Sequence, residues 1–195
     1  MEVSSANVRL AGISPYSQSA MHHEPALEGE GKDDYDARTW RSKLNTSPDG
    51  STVVIPAHGF HQCLIAAARY SKKQIPGQGK ATWTKKFESG IALFDDLPLG
   101  IDPASVQSVT ISANSDGVRG SGKRVPRRFP VMPEWSSEFE LFILDPIITE
   151  PVLREMLNIA GLFIGIGRFR PEKGGTNGRF RVEDLRWNDR RKVAA

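Results

Sequence analysis

Cysteine is nearly missing from this chain. Cys63 is the only one in 195 residues, which excludes an internal disulfide and a thiolate metal cluster and suits a reducing cytoplasm. Long apolar runs are missing as well: nothing approaches the roughly eighteen apolar residues of a membrane helix. Met1 to Ser14 carries neither a charged leader nor an apolar stretch of signal-peptide length, so membrane insertion and secretion are not expected. No segment repeats, which leaves a solenoid without support. The excess of one charge sign is small, +3 overall, and bulk charge alone does not single out a polyanionic partner.

What is present is a soluble globular composition somewhat poor in core residues, with 38% apolar and 25% charged side chains. The length suits one core. We expect a single domain over 1–190, with 14–49 and 74–105 as insertions and a basic tail from Arg186 that frays over 191–195. Charge is unevenly placed. Residues 1–100 balance eleven basic against eleven acidic side chains, whereas Arg119 to Arg128 holds five basic residues (Arg119, Lys123, Arg124, Arg127 and Arg128) and no acid. Gly165 to Arg181 repeats the bias, with Arg168, Arg170, Lys173, Arg179 and Arg181 against Glu172 alone. Two such clusters flanking one strand and one helix suggest a shared basic face.

Val8 to Ile13 reads as a short strand, and the polar segment 14–49 as a long excursion anchored by Tyr35 and Trp40. Ser51 to Ile55 is a β-branched run that ends at Pro56. Phe60, Cys63, Leu64, Ala67 and Ala68 then recur at three- and four-residue spacing, which predicts a helix over about Ala57 to Ser71. Val106 to Ala113 alternates, with Val109 and Ile111 on one face. Arg124 to Met132 returns as an edge or irregular strand because of Pro126 and Pro130. Phe139, Leu141 and Ile143 mark another strand. Thr149 is a candidate N-cap for a helix buried through Leu153, Met156, Leu157 and Ala160 and ending near Gly161, and a last strand spans Arg179 to Leu185. The order is that of an α+β fold with a ferredoxin-like (RRM-like) β-α-β-β-α-β core, long inserted loops and an extra strand before the first helix. Its helices would cover one sheet face and leave the other free for a ligand.

Between the last helix and strand lie Gly165, Gly167, Gly174, Gly175 and Gly178 among arginines. Glycines let backbone amides approach a phosphate and arginines neutralise it. The loop is not a Walker loop, since no lysine followed by Ser or Thr comes after the last glycine. Nor is it a dinucleotide fingerprint, since its glycines follow a helix and open a strand.

Two stretches resemble a known family. Val54-Ile55-Pro56-Ala57-His58-Gly59-Phe60, running into a helix that ends Ala66-Ala67-Ala68-Arg69, looks like the strand, Ile-Pro step and helix near the start of RAMP-superfamily proteins. The helix followed by Gly165-Ile166-Gly167-Arg168-Phe169-Arg170-Pro171 and then Asn177-Gly178-Arg179-Phe180 is similar to that superfamily's C-terminal glycine-rich loop. The pattern is most like the backbone subunit of CRISPR effector complexes that binds guide RNA along a filament, although the chain is short for one. The resemblance implies that Gly165, Gly167, Arg168, Gly174, Gly175 and Gly178 line an RNA-facing loop. It further implies that the basic hairpin with Arg119 to Arg128 makes a second backbone contact, and that 14–49 acts as a thumb-like element. A small relative of this kind also suits a phage or mobile-element protein that assembles with, or mimics, such a subunit.

Other chemistry finds weaker support. His58 and His61 lie one helical turn apart and resemble the acid–base histidines of some metal-independent RAMP ribonucleases, against the simpler reading of a polar helix N-terminus. Asp33, Asp34 and Asp36 form a solvated charge run rather than a metal site. Asp95-Asp96, Glu138, Glu140, Ser136-Ser137 and Cys63 carry no catalytic pattern. The expected function is non-enzymatic binding of single-stranded nucleic acid, RNA before DNA, with no cofactor or metal. The protein would act as a homo-oligomer or as a subunit of a larger complex. Phosphates would be held by Arg168, Arg170, Lys173, Arg179 and Arg181, and bases would stack on Phe169, Phe180 or Trp83. Assembly without nucleic acid and RNA cleavage are the alternatives.

Overall fold

The computed structural model describes residues 2–114 and 122–192. The chain opens on β1 (Glu2–Gly12), longer than its apolar alternation suggests, because both of its edges are paired. Ala6, Val8 and Leu10 are fully buried on one face. β2 (Tyr16–Ser17) follows, and the polar excursion then forms α1 (Lys32–Thr39) and a single 3-10 turn, Trp40–Lys43. Trp40 is buried, as expected of an anchor. Only the end of the β-branched run is a strand, β3 (Val54–Ile55).

α2 (Ala57–Ser71) has the predicted bounds and buries the predicted stripe. The Asp96 carboxylate accepts a hydrogen bond from the Ala57 amide at 2.8 Å and so caps the helix from a distant loop. The segment expected as an insertion, 74–105, holds α3 (Thr84–Ser89), β4 (Ile91–Ala92) and β5 (Leu97–Pro98). The hairpin strands are β6 (Gln107–Asn114) and β7 (Arg124–Met132), and β8 (Ser136–Ile143) leads to α4 (Glu150–Ile159). Thr149 sits at the N-cap without a side-chain cap bond, and α4 widens into a π turn, Ala160–Ile164, before the glycine loop. β9 (Phe180–Lys192) pairs well beyond Leu185, matching Arg191 with Val3 and Lys192 with Glu2, so the paired strand takes in much of the expected tail.

The principal sheet is antiparallel, in the order β4-β8-β1-β9. Phe60 of α2 meets Phe139 of β8 at 5.0 Å and Phe180 of β9 at 5.9 Å, which seats the helix on the sheet face that carries Ala6, Val8 and Leu10. β7 lies between β2 and β6 in a second sheet, and β3 pairs only with β5. The hairpin therefore belongs to a sheet apart from the principal one, and β4, unreadable as a two-residue strand, takes the edge place beside β8.

Among the described residues, no helix is long and apolar enough to cross a membrane.

Candidate nucleic-acid interface

The loop after α4 folds on itself. Gly165, Gly167, Gly174 and Gly178 all have φ between 71° and 76°, a region that side-chain-bearing residues enter at a cost. Contact is as strict as conformation: a Cβ on Gly175 would lie 1.8 Å from the Phe169 carbonyl oxygen, and one on Gly178 1.9 Å from that of Ile166. A Cβ on Gly167 would enter the Tyr16 ring at 2.3 Å. The amides of Gly165, Gly174, Gly175 and Gly178 donate to the carbonyls of Ala160, Pro171, Arg170 and Pro15, and that of Arg168 to Ser17. These glycines serve close packing of backbone on backbone, and the amides of Gly165, Gly174, Gly175 and Gly178 are spent within the fold.

Its cations differ in what they already hold. Glu172, the lone acid, takes Arg170 at 2.8 Å and Lys173 at 3.6 Å. Arg179 donates through Nε to the Leu162 carbonyl at 3.1 Å, and Arg181 pairs with Glu183 at 2.8 Å. Arg168 has no ion pair or hydrogen bond to its guanidinium among the described residues. Its charge lies 3.9 Å from the Phe129 ring centre and 4.9 Å from that of Phe169, and its Nε is buried without a partner. Desolvation lowers its pKa from the ordinary value. A half-buried, unneutralised guanidinium stacked on two rings favours an anion, which would supply the missing hydrogen bonds.

Arg168 opens onto a cleft of about 1030 Å³. Its walls are the exposed side of α2, the glycine loop from Ile164 to Gly175, residues 18–20 of the excursion, and the hairpin at 112–114 and Arg124. The two stretches that resemble RAMP proteins, far apart in sequence, thus face one another. The lining includes no residue of the principal sheet, so the ligand-sized space lies on the helix side and not on the open sheet face that the element order suggested. β9 contributes to this outcome, since Glu183 takes Arg9 on β1 across the open face.

Strand geometry divides the basic hairpin. Alternate residues of β7 point to opposite sides: Arg124 reaches the cleft, whereas Lys123 and Arg127 line a second hollow of about 610 Å³ beside Glu24, Glu30 and Asp33. Arg124 is held on the Ser112 carbonyl at 2.6 Å. Arg128 is exposed, and Arg119 lies outside the described residues. Of the described residues in the two clusters, Arg124, Arg168, Arg170 and Lys173 line the cleft. Of the rings expected to stack bases, Trp83 and Phe180 are core residues. Phe169 is partly covered by Arg168.

His58 is exposed in the cleft, but the His61 ring is bound through Nε2 to the Phe87 carbonyl at 2.8 Å. The pair does not converge on one point. No group of three or more His, Cys, Asp and Glu arranged for a metal occurs among the described residues. Phe129, Arg69 and Gln18 were not singled out from sequence. Arg69 was accessible in principle, because Gly59, Gln62, Ala66 and Arg69 step along the side of α2 opposite the apolar stripe.

No family model and no curated protein sequence matches the chain. Solved structures do match in fold. One is a chain of the structure described as the cryo-EM structure of the Type III-B Cmr-beta bound to cognate target RNA, with a TM-score of 0.50, 12% identity, 96% of this chain covered and 61% of that one. Another is the crystal structure of Cmr6 from Pyrococcus furiosus, with a TM-score of 0.50, 11% identity, and 93% and 99% covered. This chain thus spans 61% of the length of the first and nearly all of the second. The resemblance to RAMP-type CRISPR subunits, read from two short motifs, is matched at the level of the fold.

Proposed function

We propose that this chain is a non-enzymatic subunit that binds single-stranded nucleic acid, RNA in preference to DNA, within a larger RNA-guided assembly. The observation that carries the reading is the unpaired, half-buried Arg168 guanidinium in a cleft formed by the two RAMP-like stretches. With the excursion and the hairpin set aside, β1-α2-β4-β8-α4-β9 reads as the ferredoxin-like core, sheet order β4-β8-β1-β9 included. A fold neighbour that belongs to the structure of a complex bound to cognate target RNA supports the choice of ligand. Binding is phosphate-led, with Arg168 as the anchor and Arg124, Arg69 and Lys173 extending the basic track. Oligomerisation along the strand belongs to the same reading.

Filter binding of a labelled 30-nucleotide RNA and of the matching DNA, across a salt series, tests it. Affinity should fall steeply with salt, and Arg168→Gln should reduce the slope by about 0.7. No salt-sensitive association with either polymer at low ionic strength would end the proposal. RNA cleavage in chelator by the wild type, lost in His58→Ala, would replace it with a nuclease.

A further inference from the structure

The exposed side of α2 does not stop at the cleft. Gly59, Gln62, Ala66 and Arg69 line it in steps of three and four residues, and the same side continues onto Tyr70 near the helix's C-terminal end. There Tyr70 stacks on Phe163 of the π turn, ring centres 5.3 Å apart and planes 18° from parallel. Tyr70 is 55% exposed and Phe163 50%, in a protein whose other rings, Phe94 apart, are largely covered. Phe163 stands two residues before Gly165, so the pair adjoins the loop that carries Arg168.

The charges beside the rings are three basic against two acidic. Among the described residues Arg69 reaches only Glu88, at 3.9 Å, with most of its side chain exposed. Lys72 is exposed and has no ion pair among the described residues, and Lys73 shares Glu155 on the same rim. An exposed aromatic pair with a net excess of positive charge beside it, next to the cleft proposed to hold phosphate, matches the alternation of base and phosphate along a single strand. Beyond the rings the surface passes to a hollow of about 340 Å³ in which Leu162, Ile159 and Pro151 alternate with Arg154, Glu155 and Asn158.

We propose that Tyr70 and Phe163 form a base-stacking platform, on which a single-stranded nucleic acid leaving the Arg168 cleft along α2 rests at least one base. The inference rests on the proposed binding function. It assigns the aromatic contribution to rings outside the glycine loop.

Fluorescence anisotropy with a labelled 20-nucleotide oligouridylate tests both readings and separates them. Tyr70→Ala and Phe163→Ala should each weaken binding about 5- to 150-fold with the salt slope unchanged, since a ring and not a charge is lost. Tyr70→Phe should restore it. In a second measurement, 5-iodouridine-substituted RNA irradiated on the wild-type protein should crosslink to the peptide that carries Tyr70 or Phe163. Wild-type affinity in both alanine variants, with crosslinks elsewhere, overturns the platform and leaves the binding function standing. No binding by the wild type overturns both. Should the alanine variants instead lower the mass of an oligomer in light scattering at unchanged RNA affinity, the rings are a contact between copies and the platform is rejected.

Discussion

Asp36 and Lys43 form a buried ion pair, Nζ 2.6 Å from Oδ1, and each member also bonds the main chain of Arg128. The Arg128 amide donates to Asp36 Oδ2 at 2.6 Å, and Lys43 Nζ donates to the Arg128 carbonyl at 2.6 Å. Two side chains thus satisfy the stretch of β7 that β2 does not reach, much as a longer neighbouring strand would. They also fasten the excursion to the hairpin. Asp36→Ala strands Lys43 in a site with little water, and the expected cost is about 3–5 kcal/mol in urea unfolding. Replacing both (Asp36→Leu with Lys43→Met) should cost less than Asp36→Ala alone, because no unpaired charge remains. A loss below ~1 kcal/mol for Asp36→Ala would show that the edge is held by something else.

Gly178 supplies the clearest test of the loop. Its φ of +73° and the 1.9 Å approach of a built Cβ to the Ile166 carbonyl oxygen leave an alanine nowhere to go without moving the backbone. Gly178→Ala should lower stability by about 1–3 kcal/mol, read by thermal unfolding, whereas Gly100→Ala meets no atom within 4 Å and suffers only the conformational strain of its φ of +65°. Comparable losses in the two variants would mean that backbone conformation, and not contact, is what Gly178 provides.

Local periodicity is why α2 and α4 were legible: each buries a stripe whose members lie within one helix, so no distant partner needs to be known. β4 and β5 were not, because two-residue strands have no period and owe their pairing to Ile143 and Ile55 far along the chain. The site divides along the same line. Arg168 and the glycines stood out by composition, but the role of the glycines did not, since Gly175 and Gly178 are read as amide donors until Phe169 and Ile166 are seen against them. Glu172 sits among the cations in sequence, yet only the fold shows that it takes Arg170 and Lys173 and leaves Arg168. Asp36, apparently one of three solvated acids, is buried because β7 has an open edge to cap.

Glu30 makes the internal structure of the excursion sensitive to acid. Hydrogen bonds from Arg38 and from the Leu27 amide hold its carboxyl down from 4.5 to about 2. A carboxyl depressed on folding contributes stability that is complete above its unfolded value and lost as pH falls through its folded one. The contribution of Glu30 should therefore be intact at neutral pH and disappear between about pH 4.5 and 2. In an NMR titration the Leu27 amide, 3.0 Å from Oε2, should shift with a midpoint near 2, and Glu30→Gln should abolish that transition. A midpoint near 4.5 would mean that Arg38 does not grip the carboxylate in solution.

Cys63 reports whether the glycine loop opens. Its thiol is buried beneath the loop, donates to the Gly165 carbonyl at 3.3 Å, and is pushed by burial well above its ordinary pKa of 9.0. The thiolate is the reactive form, so two barriers stand between this sulfur and a reagent: the ionisation equilibrium and the cover provided by Gly165. With a loop as closed as its internal hydrogen bonds imply, Ellman's reagent at pH 8 should modify the native protein far more slowly than denatured protein. Saturating RNA should leave that rate unchanged, since an anion at Arg168 needs no movement of Gly165. Gly178→Ala should accelerate it, because a displaced Ile166 can no longer donate its amide to the Gly178 carbonyl and tie the loop down. Rapid modification of the native wild type would show a loop that lifts from α2, and RNA that slows such a reaction would show the closed form to be the one that binds.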